Sequence, residues 1–369
     1  MARPSSPRFD VQGLHELRTG VLLWFFLRVV LVTGLVPMSS AFSSSHSWRQ
    51  LPAYPRAKGV AGVLAGHHNG VILAAGGANF PDAMPWEGGK KKTYDDVYVF
   101  LPHEGLWKPA GRLPEPRGYA AVVSLPEGVL VLGGENAERV FGDSLWLRWN
   151  GREVVVSPGP HLPVPTTSAV AVAVEGTVYL AQGYAAGSPR LSAPGFWRWE
   201  VARGEAGWEA LPGWDGPSRG QAVMAAVADD IYLLSGIELA LRENGKPGPH
   251  YLTDAYRYRP NQRVWEPLPE LPHSVVAAPT PAPVNPVAGR FFVLGGVDGR
   301  NVGKQPRETR VPDAILSFAP AENRWQVEPG RWPSPVVTAP AFLFGDEWIF
   351  VSGEMRAGVR TPEVWAWKP

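Results

Sequence analysis

Six near-copies of one glycine-ended strand, a near-constant step between them and a spaced Trp beyond most of them predict an all-β fold, a six-bladed β-propeller of four-stranded blades. The defining stretch is Val129-Leu130-Val131-Leu132-Gly133-Gly134-Glu135, an apolar run of strand length that stops at a Gly pair before a polar residue. Relatives of it run from Val71 to Gly77, Val178 to Gly183, Ile231 to Gly236, Phe291 to Gly296 and Trp348 to Gly353. Their closing glycines fall at 77, 134, 183, 236, 296 and 353, in steps of 57, 49, 53, 60 and 57 residues. Six imperfect copies in register are far harder to obtain by chance than one.

Taken in order, residues 1–45 stand outside the repeats. Arg3, Arg8 and Arg18 precede an apolar run from Val21 to Val36, and Ser39-Ser40-Ala41 follows. Basic, then apolar, then small-x-small is the layout of a secretory signal, with cleavage expected after Ala41. A single spanning helix is the alternative, but the run is shorter than the ~20 residues a bilayer core demands. The expectation is an export signal, or an uncleaved N-terminal anchor of the same origin, and a periplasmic protein that touches membrane only through this segment. Residues 46–369 form the propeller.

Each blade repeats the same series. A small-residue first strand (Gly118 to Ser124, Gly220 to Ala226) turns through a short loop into the glycine-ended strand. A third strand opens on Asp, as at Asp96, Asp143 and Asp254. A fourth carries Trp before Leu-Pro, as in Trp107 with Leu113-Pro114 and Trp265 with Leu268-Pro269. These features resemble the kelch repeat, which implies a propeller blade. His46 to Pro52 reads as a fourth strand with no blade before it, and Glu363 to Trp367 as a third strand with nothing after it. Pairing the two would seal the ring and remove its free edges. The expected blades are 53–110, 111–163, 164–213, 214–270, 271–333, and 334–369 with 46–52. Pro279, Pro281, Pro283 and Pro286 crowd the first strand of blade 5, which must be broken there.

Composition suits this reading and narrows the function. Forty-one Gly and 39 Pro fit a fold of many tight turns, and 16 Trp with 45% hydrophobic residues fit a large core. A net charge of +1 offers no field for nucleic acid. With no Cys there is no disulfide, thiol nucleophile or thiolate metal site. His67-His68 lacks a partner at ligand spacing and reads as a solvated turn, and Lys90-Lys91-Lys92 reads most simply as a solvated charge run.

Topology says where a site can lie. In a propeller the first strands begin, and the second strands end, at one mouth of the central channel. That places Arg56, Arg117, Tyr119 and Arg219 there from first-strand starts, with Asn79, Glu135, Tyr184, Glu238, Asp298 and Glu354 from beyond the glycines. Acids, arginines and tyrosines round one mouth suit a polar small molecule.

Three stretches carry a closer resemblance. Gly76-Gly77-Ala78-Asn79-Phe80, with Gly88-Gly89-Lys90-Lys91 and Tyr94-Asp95-Asp96, resembles the signature loop of bacterial N-acetylneuraminate mutarotases (epimerases). Arg117-Gly118-Tyr119 leading to Gly133-Gly134-Glu135 is similar to the blade that follows it. Gly353-Glu354-Met355-Arg356-Ala357-Gly358-Val359-Arg360-Thr361 is similar to the family's Gly-Glu-x-x-x-Gly-x-Arg-Thr stretch. In the family that stretch precedes the loop, whereas here it closes the chain, an order that a circular permutation of a closed ring explains. The resemblance implies a cofactor-independent, metal-free isomerase that interconverts the α and β anomers of sialic acid, a sugar acid. It puts the acid/base role on Glu354 and the carboxylate clamp on Arg360. Substrate contacts are expected from Arg117, Tyr119, Asn79, Glu135, Arg56 and Glu238, with Glu135 and Glu238 as alternative bases. A sialidase would need a Ser-x-Asp-x-Gly-x-x-Trp repeat, and a galactose-oxidase-type enzyme a Cys–Tyr crosslink; neither is present. The alternative is a non-catalytic kelch propeller that binds a protein or glycan.

Overall fold

The computed structural model describes residues 46–187, 190–204, 207–301, 305 and 308–369. The expected export segment, 1–45, lies outside the described residues. Six four-stranded antiparallel sheets form the propeller. Blade 1 comprises Leu64–His68, Val71–Ala75, Asp96–Leu101 and Leu106–Arg112. Blade 2 comprises Ala121–Leu125, Gly128–Leu132, Ser144–Trp149 and Val154–Pro158. Blade 3 has Val170–Val174, Thr177–Ala181, Phe196–Glu200 and Glu209–Ala210, and blade 4 has Val223–Val227, Asp230–Leu234, Ala255–Arg259 and Val264–Leu268. Blade 5 has Val284–Asn285, Arg290–Leu294, Ala314–Ala319 and Arg324–Arg331. Its first strand is cut to two residues, as its prolines dictate.

Blade 6 is built from both ends of the described chain. Ala341–Phe344, Glu347–Val351 and Val364–Lys368 supply three strands, and Ser47–Leu51 supplies the outermost. Trp48 lies opposite Trp367, and Leu51 opposite Val364. Trp48 also stacks between Trp367 and Trp332, with ring centroids at 5.4 and 5.8 Å. The seam is thus sealed by backbone pairing and by aromatic packing together.

Each neighbouring pair of blades shares an apolar core. Leu73 and Val99 of blade 1 meet Val129 and Leu147 of blade 2, while Ile72 and Phe100 meet Ile349 and Val364 of blade 6. The repeated Trp has a polar task as well. The indole N–H groups of Trp107, Trp265 and Trp325 donate to the carbonyls of Pro52, Pro212 and Pro269 at 2.9, 2.8 and 2.9 Å. Each acceptor is the proline of the Leu-Pro step that ends the preceding blade. The Trp and the Leu-Pro recur together because they are two halves of one joint.

First strands begin at Ala121 and Val223, three residues later than the sequence suggests. The intervening residues build a hub. Gly62, Tyr119, Ser168, Gln221, Ala277 and Thr338 all take left-handed backbone, with φ between 53° and 63°. The amide of each donates to the carbonyl of the one in the preceding blade, at 2.7–3.0 Å, and Gly62 closes the circle on Thr338. Five of these residues are not glycine, a conformation that costs on the order of 1–3 kcal/mol each. The hub bonds hold it in place. The glycine pairs serve the same region: a Cβ on Gly134, at φ 98°, would stand 2.7 Å from the Gly118 carbonyl oxygen.

Candidate active site

Beyond Gly353, blade 6 sends up a short hairpin in which Glu354–Arg356 pairs with Val359–Arg360. Glu354 and Arg360 are register partners. Glu354 Oε2 lies 2.8 Å from Arg360 Nη2, and its Oε1 accepts the Gly358 amide at 3.2 Å. Burial pushes the Glu354 carboxyl above the ordinary carboxylate range, while Arg360, the Gly358 amide and Lys91 pull it back. Arg360 has a side chain only 6% exposed. Its Nε and Nη1 are buried without a hydrogen-bond partner. Buried donors of this kind are rare and call for an acceptor.

The long loop of blade 1 packs on this hairpin. The Arg360 guanidinium sits 4.7 Å from the centroid of the Phe80 ring. A Cβ on Gly358, which has φ 81°, would strike Trp86 at 2.9 Å, so only glycine lets the hairpin and the loop approach this closely. The loop's return brings Lys91 to the mouth, with Nζ 3.3 Å from Glu135 Oε1 and 4.9 Å from the centre of the Tyr119 ring.

Tyr119 and Glu135 come from blade 2, tied together when Gly118 and Glu135 exchange backbone hydrogen bonds at 2.9 and 2.8 Å. The second oxygen of Glu135 lies 2.7 Å from Arg190 Nη1 of blade 3. Burial pushes the Tyr119 hydroxyl up to about 12; Arg360 opposes the shift, and Glu354 and Glu135 add to it. Burial also raises the buried Tyr184, which feels the nearby Tyr251, Arg190 and Glu135. Four blades therefore converge on one mouth, with acids from blades 6 and 2, cations from blades 6, 1 and 3, and Tyr119 at the hub.

Of the residues singled out from the sequence, Glu354, Arg360, Tyr119 and Glu135 are brought together. Arg56, Arg117 and Asn79 are engaged elsewhere. Arg117, 3% exposed, makes two 3.0 Å bonds to Asp143 and lies 3.7 Å from the Phe141 ring. Arg219 does the same with Asp254, at 2.6 and 2.7 Å, and Arg56 pairs with Asp96 over the Tyr94 ring. In each case a first-strand arginine binds the third-strand Asp of its own blade. A buried guanidinium needs a counter-charge, and that Asp supplies it. Asn79 donates to the Gly59 carbonyl at 2.7 Å and accepts from the Tyr94 hydroxyl at 2.8 Å, which anchors the loop that carries Phe80. Glu238 lies on a blade 4 hairpin, 3.3 Å from His250. Asp298 is held by Arg300. At the other mouth, His68 accepts the Trp149 amide at 3.0 Å, and His67 packs on Phe342 and Phe344.

Lys91 and Arg190 escaped the sequence reading. Lys91 lies within the signature loop, between two other lysines, and nothing in the run marks which of them turns inward. Arg190 has no local pattern at all.

The N-acetylneuraminate epimerase family model matches residues 32–156 and 159–302, well over half of the chain. The chain belongs to the N-acetylneuraminate epimerase family. Among curated members, the N-acetylneuraminate epimerase of Vibrio cholerae is 33% identical over 129 residues, which cover 31% of this chain and 34% of that protein. The Haemophilus influenzae protein of the same name is 27% identical over 231 residues, covering 55% of this chain and 57% of the relative. The Salmonella typhi protein is 39% identical over 101 residues, covering 24% and 26%. The chain thus spans from about a quarter to somewhat over half the length of these epimerases. The epimerase family match ends at residue 302, short of the hairpin that carries Glu354 and Arg360.

Proposed function

We propose that this protein interconverts the α and β anomers of N-acetylneuraminate; the relatives it matches are named N-acetylneuraminate epimerases. One observation carries the proposal most: Arg360 is almost fully buried, keeps two N–H groups unpartnered, and sits beside a carboxyl whose pKa burial has raised. A guanidinium with open donors suits a sugar carboxylate, and a carboxyl raised by burial suits taking up and returning a proton.

In the proposed reaction Glu354 takes the proton of the anomeric hydroxyl. That oxygen becomes a carbonyl as the bond from the anomeric carbon to the ring oxygen breaks. The ring oxygen gains the Tyr119 proton, and the phenolate left behind faces Arg360. On closure from the other face the ring-forming hydroxyl returns a proton to Tyr119, and the new anomeric hydroxyl takes one from a carboxyl of the site. Because Glu gains the proton that Tyr loses, the site's net charge is unchanged. The reaction also runs in water, so proton transfer need contribute only about 10²–10⁴-fold. The basic, apolar and small-residue order of 1–45 supports export to the periplasm, which N-terminal sequencing of the mature protein checks.

The test follows α-N-acetylneuraminate, freshly released by a sialidase, by proton NMR with the purified full chain. Wild type should hasten its equilibration, and Glu354→Gln should return it to the buffer rate. If wild type adds nothing to the buffer rate, the reading fails.

A further inference from the structure

Inversion at the anomeric carbon leaves its bonds to the neighbouring ring carbon and, after closure, to the ring oxygen. What changes is that hydroxyl and carboxylate trade places. With the sugar ring held still, a site that serves both anomers must receive a carboxylate at either of two positions and a hydroxyl at the other.

The mouth holds two sets of groups of the required kind. In blade 6, Glu354 lies 2.8 Å from Arg360. In blade 2, Glu135 lies 3.3 Å from Lys91 and 2.7 Å from Arg190. Glu354 and Glu135 are equivalent by repeat, each following directly on its blade's closing glycine. Tyr119 touches both sets: its ring lies 4.9 Å from Lys91, its blade neighbour Gly118 is bonded to Glu135, and its hydroxyl faces Arg360. Both sets keep donor capacity. Arg360 has two unpartnered N–H groups, and the side chains of Lys91 and Arg190 are 39% and 41% exposed, free to reorient onto a ligand.

We infer that Glu354 with Arg360, and Glu135 with Lys91 and Arg190, are two half-sites on either side of Tyr119 that exchange roles between anomers. In one anomer the cations of the first half-site hold the carboxylate, while the acid of the second handles the anomeric hydroxyl. In the other anomer the assignment is reversed. Between the two, the opened sugar turns about the bond from its carbonyl carbon to the adjacent chain carbon. The acid that removed the first proton loses it to water, and the acid that supplies the last draws it from water. Protons therefore balance over the cycle, and Tyr119 regains the one it lent.

This inference rests on the sialic acid reading but can fail separately from it. The methyl α- and β-glycosides of N-acetylneuraminate cannot open, and so report the two arrangements one at a time. Wild type should bind both, as read by tryptophan fluorescence titration. Arg360→Gln should weaken one glycoside at least about tenfold more than the other, the worth of a charge-assisted hydrogen bond. The double variant Lys91→Met/Arg190→Met should show the opposite preference. Its two side chains are half-exposed, so the fold should stand; Arg360→Lys provides a milder form of the first variant. Opposite preferences support two half-sites. If both variants disfavour the same glycoside, or wild type binds only one, the inference is overturned and the sialic acid reading still stands. Absence of any catalysed mutarotation in wild type removes the sialic acid reading, and this inference with it.

Discussion

Glu354 and Arg360 face each other as register partners across one hairpin, with Oε2 and Nη2 2.8 Å apart. Six residues separate them in the chain, a spacing that fixes no distance in a free loop. The turn at Gly358, held down by Trp86, converts it into a contact. Blade 6 thus delivers carboxyl and guanidinium as one unit.

The pH profile follows from that unit. In the proposed reaction the ionised form of Glu354 is the active one, and burial raises its pKa. Activity should therefore fall, as pH is lowered, through a midpoint above the ~4.3 of an ordinary Glu. Arg360 pulls that midpoint down, so Arg360→Gln should move the acid limb to higher pH. Rate against pH for the two proteins decides it; an acid limb at the ordinary value, unmoved by the substitution, counts against Glu354 as base.

Tyr119 meets the hub through its backbone, so its hydroxyl can be removed without breaking the hub bond to Gly62. Tyr119→Phe should lower kcat about a hundredfold or more and leave KM nearly unchanged. Its thermal midpoint should stay within a few degrees of wild type. A rise in KM at constant kcat would make the hydroxyl a binding group instead.

Arg117 is committed to Asp143. Asp143→Ala strands the buried guanidinium and should cost about 2 kcal/mol in urea unfolding. That is below the 3–5 of a fully buried pair because the carboxylate is 37% exposed. Arg117→Met should lower stability too, while KM for the sugar holds. A KM increase of tenfold or more in soluble, folded Arg117→Met would return this arginine to the substrate.

Ser352 ties blade 6 to blade 1. Its hydroxyl lies 2.9 Å from the Val60 carbonyl oxygen, 2.7 Å from that of Thr361 and 2.8 Å from the Val60 amide. Ser352→Ala leaves these buried groups short of a partner and should destabilise by about 3 kcal/mol in chemical unfolding. Ser235 has a corresponding place in blade 4, where it bonds the Leu252 carbonyl and the Val275 amide, and Ser235→Ala should behave alike. A loss under 0.5 kcal/mol in both would show that water fills the gap.

Much of the architecture was legible because it is written several times over. Glycine-ended strands, Asp-led third strands and Trp with Leu-Pro each recur, and a seam strand with no blade of its own implied its partner at the other end. The site was legible in part. Glu354 and Arg360 share a hairpin and a motif, whereas Lys91 and Arg190 reach Glu135 from two other blades. The fates of Arg56 and Arg117 were hidden for a related reason. Arg117 and Asp143 are 26 residues apart, and only the closing of the blade makes them neighbours. Sequence shows which charges lie near the mouth; the paths of the loops decide which pair with one another and which stay open.

The strand that seals the ring is made before any blade and used after all of them. Ser47–Leu51 leaves the ribosome ahead of blade 1, yet its partner Val364–Lys368 follows every other strand of the propeller. Until that partner emerges the nascent polypeptide carries an unmatched edge, with Trp48 uncovered and the Trp107 joint to Pro52 lacking the rest of its blade. Domains with such distant pairings fold slowly and are open to aggregation until they finish. Ribosome-bound chains stopped before Val364 should be captured by chaperones, and emergence of Val364–Lys368 is the event that permits native structure.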